Sequence, residues 1–565
     1  MLGKNSARRK KMNSSASFRI CATKLAGIAV FLAALASPVW AQATGSLVGT
    51  VKDQSDAVVP AATVSLYRQG MTEPAAQTRT NGQGFFEFPT LQPESYKITI
   101  EKTGFAPYEA TGVTLSPGAE RALNGIKLSL GKVTVSVNAG EKLASVQTSD
   151  AEISTTLTAK QTEDLPIKDF NPLELLDTQA GVVSTSASAY TTIDGLRTSF
   201  SNVTFDGINV QDNTIRFNGL NFLPNNLRLG QVDQFTLVTS NQAAIYGNGA
   251  TQTAFVSPSG TNNLHGSAFY LNANDLFNAG KWFENQADHK DFYKYNEGGF
   301  NVGGPLVRNK LFGYLDYEFY REPDTIDEGP VPTLSAADRA QIGTDSVGLQ
   351  VDSRIAALLN QIPAPNFGSN EYEHSEAAQT DSDNVIAKLD FVPSRNNRLV
   401  ASYAWNRYDE PYYLSIYGNK PGVAESVRAN VLSLSWRTTP SSRLTNELRF
   451  GFSLYSFDIL NRDQTLPYYL DLGEFDFVNP VYDISPQGRT TATYDLQDNA
   501  SYVAGRHNLR FGIQAQLIRT PIYLDHIPQV YLGLNPYSSP APTIDQQIQA
   551  ILSGQYYFIS ENFYP

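Results

Sequence analysis

The sequence predicts a mainly β protein: a small immunoglobulin-like β-sandwich first, an irregular Gly/Asn-rich region next, and then an incomplete antiparallel transmembrane β-barrel. Three observations carry this. Twenty-nine Tyr, 30 Phe, 41 Gly and 30 Pro, against 4 Trp in 565 residues, favour strands joined by many turns. Segments in the second half alternate apolar and polar side chains with period two. The connections between those segments alternate between short and long, as in a barrel with tight turns at one end and extended loops at the other.

At 565 residues the chain is long enough for three or more domains. Its mean hydropathy is −0.28, and no run of about 18 apolar residues lies beyond the N-terminus, which excludes a helical membrane protein. A membrane barrel stays open, because lipid-facing and lumen-facing residues average out to polar. Residues 1–41 read as a signal peptide. Lys4, Arg8, Arg9, Lys10, Lys11, Arg19 and Lys24 precede the apolar Leu25 to Leu35, and Val39-Trp40-Ala41 offers a small-residue cleavage pattern, with cleavage after Ala41 or Ala43. Removal of that segment takes seven basic and no acidic side chains, and so moves the net charge from −12 to about −19. Such a surface excludes nucleic acid as a partner, since phosphate binding needs positive charge. The one cysteine, Cys21, lies in the signal, so the mature chain carries no disulfide and no cysteine-based metal site.

Residues 42–131 read as the sandwich. Leu47 to Lys52, Ala62 to Tyr67, Gln77 to Thr80, Phe85 to Phe88, Tyr96 to Lys102 and Ala122 to Leu130 are short strands at near-regular spacing, with turn formers between them. Val59-Pro60-Ala61-Ala62-Thr63-Val64, Gly84-Phe85-Phe86-Glu87-Phe88 and Tyr96-Lys97-Ile98-Thr99-Ile100 resemble a carboxypeptidase-regulatory-like domain. That resemblance implies a carbohydrate-binding-like fold. For sugar binding, Tyr67, Phe105 and Tyr108 are the available aromatics, whereas Phe86, Phe88 and Tyr96 belong in the core of any sandwich.

Residues 132–145 read as a linker. Val133, Thr134, Val135, Ser136 and Val137 alternate in a way that suits capture as an added strand, because strand addition gains backbone hydrogen bonds with little demand on side chains. The same residues would serve equally to complete the sandwich.

From residue 146 to 262 the short β-type runs Asn202 to Phe205, Gln234 to Thr239 and Thr253 to Val256 are separated by turn formers. A short helix is expected from about Pro172 to Asp177, with Pro172 in its first turn. Asp206-Gly207, Val238-Thr239-Ser240-Asn241, Ala244-Ile245-Tyr246-Gly247 and Ser259-Gly260-Thr261-Asn262 follow in order before His265-Gly266-Ser267. Their order and spacing resemble the plug-to-barrel junction of TonB-dependent outer-membrane receptors, in particular the Oar-like branch. The resemblance continues in Gly303-Gly304-Pro305-Leu306 and Lys310-Leu311-Phe312, and upstream in Leu165-Pro166-Ile167 and Asn171-Pro172-Leu173. It implies that residues 146–262 form a plug domain, with Asp206, Gly207, Tyr246, Gly247, Ser259, Gly260, Thr261 and Asn262 as its motif. It also makes Val133 to Val137 a candidate TonB box.

Residues 263–565 read as part of a barrel. Leu311, Gly313, Leu315, Tyr317 and Phe319 fall on one face, with Asp316 and Glu318 on the other. Leu448, Phe450 and Phe452 oppose Glu447, Arg449 and Ser453, and Leu509, Phe511, Ile513 and Leu517 oppose Arg510, Gln514 and Gln516. About nine strands can be placed, where transporters of this kind close with about 22. An unclosed sheet leaves backbone groups unpaired against lipid, each costing several kcal/mol. The expectation is therefore a truncated or split receptor, the more so as residues 544–565 show no alternating terminal strand.

Catalysis has little support. The five histidines are scattered, no Walker loop, Gly-x-Ser-x-Gly or His-Glu-x-x-His is present, and Asp206, Asp212 and Asn213 lack the spacing of a calcium loop. No cofactor is implied. The expected function is uptake of a large nutrient, an oligosaccharide, metal chelate or peptide, across the cell outer membrane. The expected partners are a TonB-type energy-coupling protein, outer-membrane lipid and an extracellular ligand, with the sandwich in the periplasm. The alternatives are an exported carbohydrate-binding or adhesion protein working through the sandwich, and a hydrolase with an accessory domain.

Overall fold

The computed structural model describes most of residues 45–560; the longer stretches outside it are 116–119, 132–134, 139–151, 162–171, 185–190, 215–226, 278–291, 343–352, 462–468 and 472–485. The signal segment, most of the linker and Leu165-Pro166-Ile167 lie outside the described residues.

The N-terminal domain comprises β1 (Gly45–Asp53), β2 (Thr63–Arg68), β3 (Ala76–Arg79), β4 (Phe85–Leu91), β5 (Ser95–Glu101), β6 (Tyr108–Thr114), β7 (Glu120–Leu128) and β8 (Val135–Asn138). They form two sheets, ordered β4-β1-β7 and β3-β2-β5-β6-β8. Alternate side chains of each sheet face the other, so Leu47, Phe86, Phe88 and Ile126 meet Val64, Leu66, Tyr96, Ile98 and Val113 in one buried cluster. Strand β6 escapes a sequence reading because its inward positions, Tyr108, Ala110 and Val113, break step at Gly112, whose φ is +72°. The register with β5 shifts there, as a bulge requires. Tyr108 is therefore a core residue, 4% exposed, and not a surface aromatic offered to a sugar.

The middle domain comprises β9 (Ile153–Thr158), a 3-10 turn over Pro172–Thr178, β10 (Val182–Ser184), β11 (Thr191–Ile193), β12 (Ser201–Phe205), β13 (Ile208–Asn209), β14 (Gln234–Ser240) and β15 (Thr251–Val256). Its main sheet is ordered β13-β12-β15-β14-β9. One face buries Val203, Phe205, Phe235, Leu237 and Phe255 on Leu175 and Leu176. The other is polar yet buried and internally paired. Asn202 Nδ2 donates to Gln252 Oε1 at 2.8 Å, and Asn209 Nδ2 to Asn202 Oδ1 at 2.6 Å.

The remainder is a curved wall with a cap. In chain order it comprises β16 (His265–Asn274), β17 (Lys294–Val307), β18 (Leu311–Asp327), β19 (Val331–Pro332), β20 (Glu371–Tyr372), β21 (Ser375–Ser394), β22 (Asn397–Tyr413), β23 (Val423–Ser441), β24 (Leu444–Asn461), β25 (Tyr469–Asp471), β26 (Gln487–Ala504), β27 (His507–Arg519), β28 (Ile522–Leu524), β29 (Gln529–Leu532) and β30 (Tyr556–Ser560). The wall runs β16-β17-β18-β21-β22-β23-β24-β26-β27, each strand antiparallel to the next, with β28 added on β26. Strands β16 and β27 are its two edges. Tight turns join β17 to β18, β21 to β22, β23 to β24 and β26 to β27, all at one end; this is the short-turn end.

Period two decides which face meets which medium. Leu315, Leu389, Leu434, Trp436, Leu448, Phe450 and Phe511 are exposed on the convex side, forming a continuous apolar belt. Their sequence neighbours Asp316, Lys388, Ser433, Glu447 and Arg449 are buried on the concave side, where the middle domain sits. Strand β21 runs for 20 residues, about twice the 9–11 that cross a bilayer, so the wall projects well beyond the lipid.

At the long-loop end lie three short helices, α1 (Ala336–Ala340), α2 (Ser353–Leu359) and α3 (Ile544–Leu552). They pack Leu334, Leu359, Ile362, Tyr417, Ile548 and Ile551 into a separate apolar core. Residues 544–560 thus form a helix and a strand. Thr543 caps α3 by accepting from Gln546 N while the Gln546 side chain returns to the Thr543 N–H.

A charge on the convex face must enter hydrocarbon. Leu434→Arg is expected to destabilise the protein refolded into lipid vesicles by about 2–4 kcal/mol, measured by urea unfolding.

Candidate functional site at the inner face of the wall

The middle domain fills the concavity of the wall, and polar contacts dominate where they meet. The first lies at the Asp206-Gly207 turn between β12 and β13. Asp206 has φ +45° and Gly207 φ +80°, the left-handed pair that a two-residue hairpin favours. The turn points into the wall. Ser433 Oγ donates to the Asp206 carbonyl at 2.9 Å and Gln497 Nε2 to the Gly207 carbonyl at 3.0 Å. The Asp206 carboxylate accepts from Ser257 N at 3.0 Å and Ser257 Oγ at 2.6 Å, and Lys388 Nζ stands 3.6 Å away while donating to the Ser257 carbonyl at 2.8 Å. A Cβ on Gly207 would lie 2.3 Å from the Arg449 guanidinium, which would have to shift, and the left-handed φ is what favours glycine there.

Two further ionic anchors tie the domain to the wall. Arg228 pairs with Glu297 on β17 at 2.6 Å, with both side chains at most 5% exposed, and also donates to Tyr295 Oη at 2.8 Å. Asp212 pairs with Arg489 on β26 at 2.6 Å, and the guanidinium lies 4.7 Å from the Phe457 ring centre. Gln231 Nε2 donates to Asp316 at 2.9 Å and Asn213 Nδ2 to Thr493 at 2.9 Å.

The link from β15 to the wall carries Ser259, Gly260, Thr261 and Asn262. Gly260 lies so close to the wall backbone that a Cβ would stand 2.3 Å from the Gly313 carbonyl oxygen. Thr261 Oγ1 donates to the Asn263 carbonyl at 3.0 Å. Asn262 and Asn309 exchange two hydrogen bonds, of 2.5 and 2.9 Å, at the β17–β18 turn. Asp206, Gly207, Ser259, Gly260 and Thr261 therefore line one chamber of about 700 Å³. Asp233 lines it as well. Burial pushes its carboxyl above the usual range, with Lys388 opposing and Glu94 and Asp206 adding to the rise. Tyr246 and Gly247 lie elsewhere: Tyr246 Oη donates to Glu152 at 3.3 Å, and Gly247, φ +69°, sits against Gln514 of β27.

Val135, Ser136 and Val137 lie in β8, parallel to β6 and opposite Tyr108, Glu109 and Ala110. Val133 and Thr134 lie outside the described residues. Sequence reasoning missed Arg228 and Arg489. The usable signal was the lone carboxylates Glu297, Asp316 and Glu318 on the lumen face of alternating strands, since buried acids call for cations or donors.

The sandwich, the polar-faced middle domain and the apolar-belted wall coincide with three family models. A carboxypeptidase regulatory-like domain matches residues 46–129, a TonB-dependent receptor plug domain matches residues 146–254, and an outer membrane beta barrel domain matches residues 256–557. The chain belongs to the TonB-dependent outer-membrane receptors. The middle domain is its plug, and the wall is outer-membrane barrel. Among solved structures it is similar to the outer membrane transporter YddB from Escherichia coli, at 11% identity and a TM-score of 0.46 over 68% of this chain and 52% of that one. It is also similar to the ferric enterobactin receptor PfeA, at 14% identity and 0.42 over 65% and 49%, and to the copper transporter OprC, at 12% and 0.39 over 67% and 48%. A 101-residue stretch is 32% identical to protein RhiA of Rhizobium leguminosarum bv. viciae, 18% of this chain and 40% of that protein. The chain thus spans about half the length of the solved receptors that it matches.

Because Arg228 belongs to the plug and Glu297 to the wall, removing one partner strands the other in a buried site. Arg228→Met is expected to cost about 3–5 kcal/mol, and Arg228→Met with Glu297→Met much less than twice that. A double-mutant cycle by urea unfolding in detergent measures both.

Proposed function

We propose that this receptor takes up a large nutrient across the outer membrane, with the plug displaced by a TonB-type coupling protein acting from the periplasmic side. The observation that carries the reading is the chemistry of the plug surface. Most of its contacts with the wall are ion pairs and hydrogen bonds, such as Arg228–Glu297, Lys388–Asp206 and Gln497 to Gly207, beside a small apolar patch at Ile386, Ala404 and Val431. Water can replace such contacts one by one. A greasy seam would have to be exposed all at once, at about 25 cal/mol for every Å². The plug is therefore well bound at rest and open to rehydration under a pull.

In this reading the short-turn end of the wall and the sandwich face the periplasm, and the helical cap at the long-loop end faces outward, where ligand is met. The segment Val133 to Val137 is one candidate handle for the coupling protein. Its pairing with β6 also supports a purely structural role for Val135 to Val137. The nutrient class stays among oligosaccharide, metal chelate and peptide.

Cells producing the protein should accumulate one of three labelled probes, a maltodextrin mixture, a ferric catecholate or a tryptic peptide mixture. That accumulation should fall to the background level when the proton-motive force is collapsed by an uncoupler. Accumulation that persists without the proton-motive force, or none for any class, would refute energy-coupled uptake.

A further inference from the structure

A separate set of contacts fastens the sandwich across the short-turn mouth of the wall. The sandwich contributes Arg68, at the end of β2, and Glu94, just before β5; the wall contributes Asp390 of β21 and Arg398 of β22. Within each body an acid and a base are already paired, Arg68 to Glu94 at 2.8 Å and Arg398 to Asp390 at 2.7 Å. Across the junction, Arg398 reaches Glu94 at 3.0 Å and Arg68 reaches Asp390 at 3.6 Å. The four side chains are 1–17% exposed, so the checkerboard is largely dry. Further contacts of the sandwich include Arg510 of the wall, whose Nη2 donates to Ser46 Oγ at 2.8 Å, the Phe312 ring of the wall, with its centre 6.0 Å from the Arg68 guanidinium, and Gln234 of the plug, whose Nε2 donates to the Leu115 carbonyl at 2.9 Å.

This arrangement differs in kind from the plug anchors. When Arg228 leaves Glu297, each body keeps an unpaired charge. When the sandwich leaves the wall, each takes away a neutral pair, which water can solvate cheaply. The junction thus gains energy from its two cross pairs while docked and strands no charge when parted, which are the properties of a reversible latch.

The latch is set where passage would occur. The chamber of about 700 Å³ is walled by Asp206 and Asp233 of the plug, Lys388 and Ser402 of the barrel, and Arg68 and Glu94 of the sandwich. We propose that the sandwich is an inner lid, closing the chamber beneath the plug, and that uptake requires the Arg68–Glu94 pair to part from the Asp390–Arg398 pair. The inference rests on the uptake reading for its purpose, but docking can be measured without nutrient or energy coupling.

The Glu94 carboxyl feels charges from both bodies. Burial raises the Glu94 carboxyl, but Arg68 and then Arg398 more than offset this, Asp390 opposing them, and leave it below the usual range. Tyr96 and Asp233 are the other titratable neighbours. Because Arg68 stays with Glu94 when the sandwich leaves, most of that lowering belongs to the sandwich itself, and docking adds only the balance of Arg398 against Asp390 and burial.

The test uses the full chain in detergent with Cys21→Ser and a single reporter, Ser402→Cys, on the chamber wall and 3% exposed before substitution. The rate of labelling by a polyethylene-glycol maleimide reads how often the lid opens. Glu94→Arg, which faces Arg398 and Arg68, should raise the rate about tenfold or more. Asp390→Asn acts from the barrel side with the sandwich sequence untouched, and should raise it in the same direction should Glu94→Arg fail to fold. Equal labelling rates in the reporter parent and in Asp390→Asn would overturn the lid. Loss of probe accumulation with the latch response intact would instead overturn only the uptake reading.

Discussion

Hydrocarbon offers no partner to a backbone N–H or C=O, and from that constraint the rest of this structure follows. It requires strands in lipid to be paired along their length, as those between the edges β16 and β27 are, and extended strands place alternate side chains on opposite faces. Once Leu434, Leu448 and Phe450 are committed to lipid, Ser433, Glu447 and Arg449 must face the lumen. A lumen lined in this way cannot be filled by an ordinary apolar core. The domain inside it must be polar on its outside and satisfied group by group, as the Asp206-Gly207 turn is by Ser433, Gln497 and Lys388.

The same constraint sets the energetics of movement. A plug held by apolar burial would resist displacement in proportion to its area, whereas one held by directional contacts resists through a few discrete pairs. Arg228–Glu297 and Arg489–Asp212 each join opposite charges from different bodies, so parting them is costly unless water or ligand follows at once. An apolar patch remains, since Ile386, Ala404 and Val431 of the wall join the plug core. The plug thus rests on a small apolar contact surrounded by replaceable polar ones.

How much of this was legible in the sequence depended on whether the signal was periodic. The faces of β18, β24 and β27 could be read from alternation alone, and Asp206-Gly207 declared its turn because only a few residues accept left-handed backbone. Strand β6 was hidden by its bulge at Gly112, which shifts Val113 out of step with Tyr108 and Ala110. Residues 544–560 were read only for a barrel strand, which they lack, and the helix start that Thr543 and Gln546 spell went unread. Arg228 was missed for a different reason: its partner Glu297 is 69 residues away, and lumen-face carboxylates call for a cation without saying which one answers.

Charge placement also separates contacts that leave charge behind when they part from contacts that do not. An ion pair split between two bodies makes each dependent on the other, which suits registration. A pair completed within each body makes docking optional, because neither face is left charged in isolation. The sandwich junction is of the second kind and the plug anchors are of the first, although both lie within one lumen and use the same residue types. The distinction lies in which chain segment supplies each partner: Arg68 and Glu94 come from one domain, Asp390 and Arg398 from adjacent strands of the other. Strength alone does not sort them, since the pairs within and across the two sets fall at 2.6–3.6 Å. What sorts them is the charge left behind on separation, and by that measure the sandwich is the part of this receptor most readily undocked.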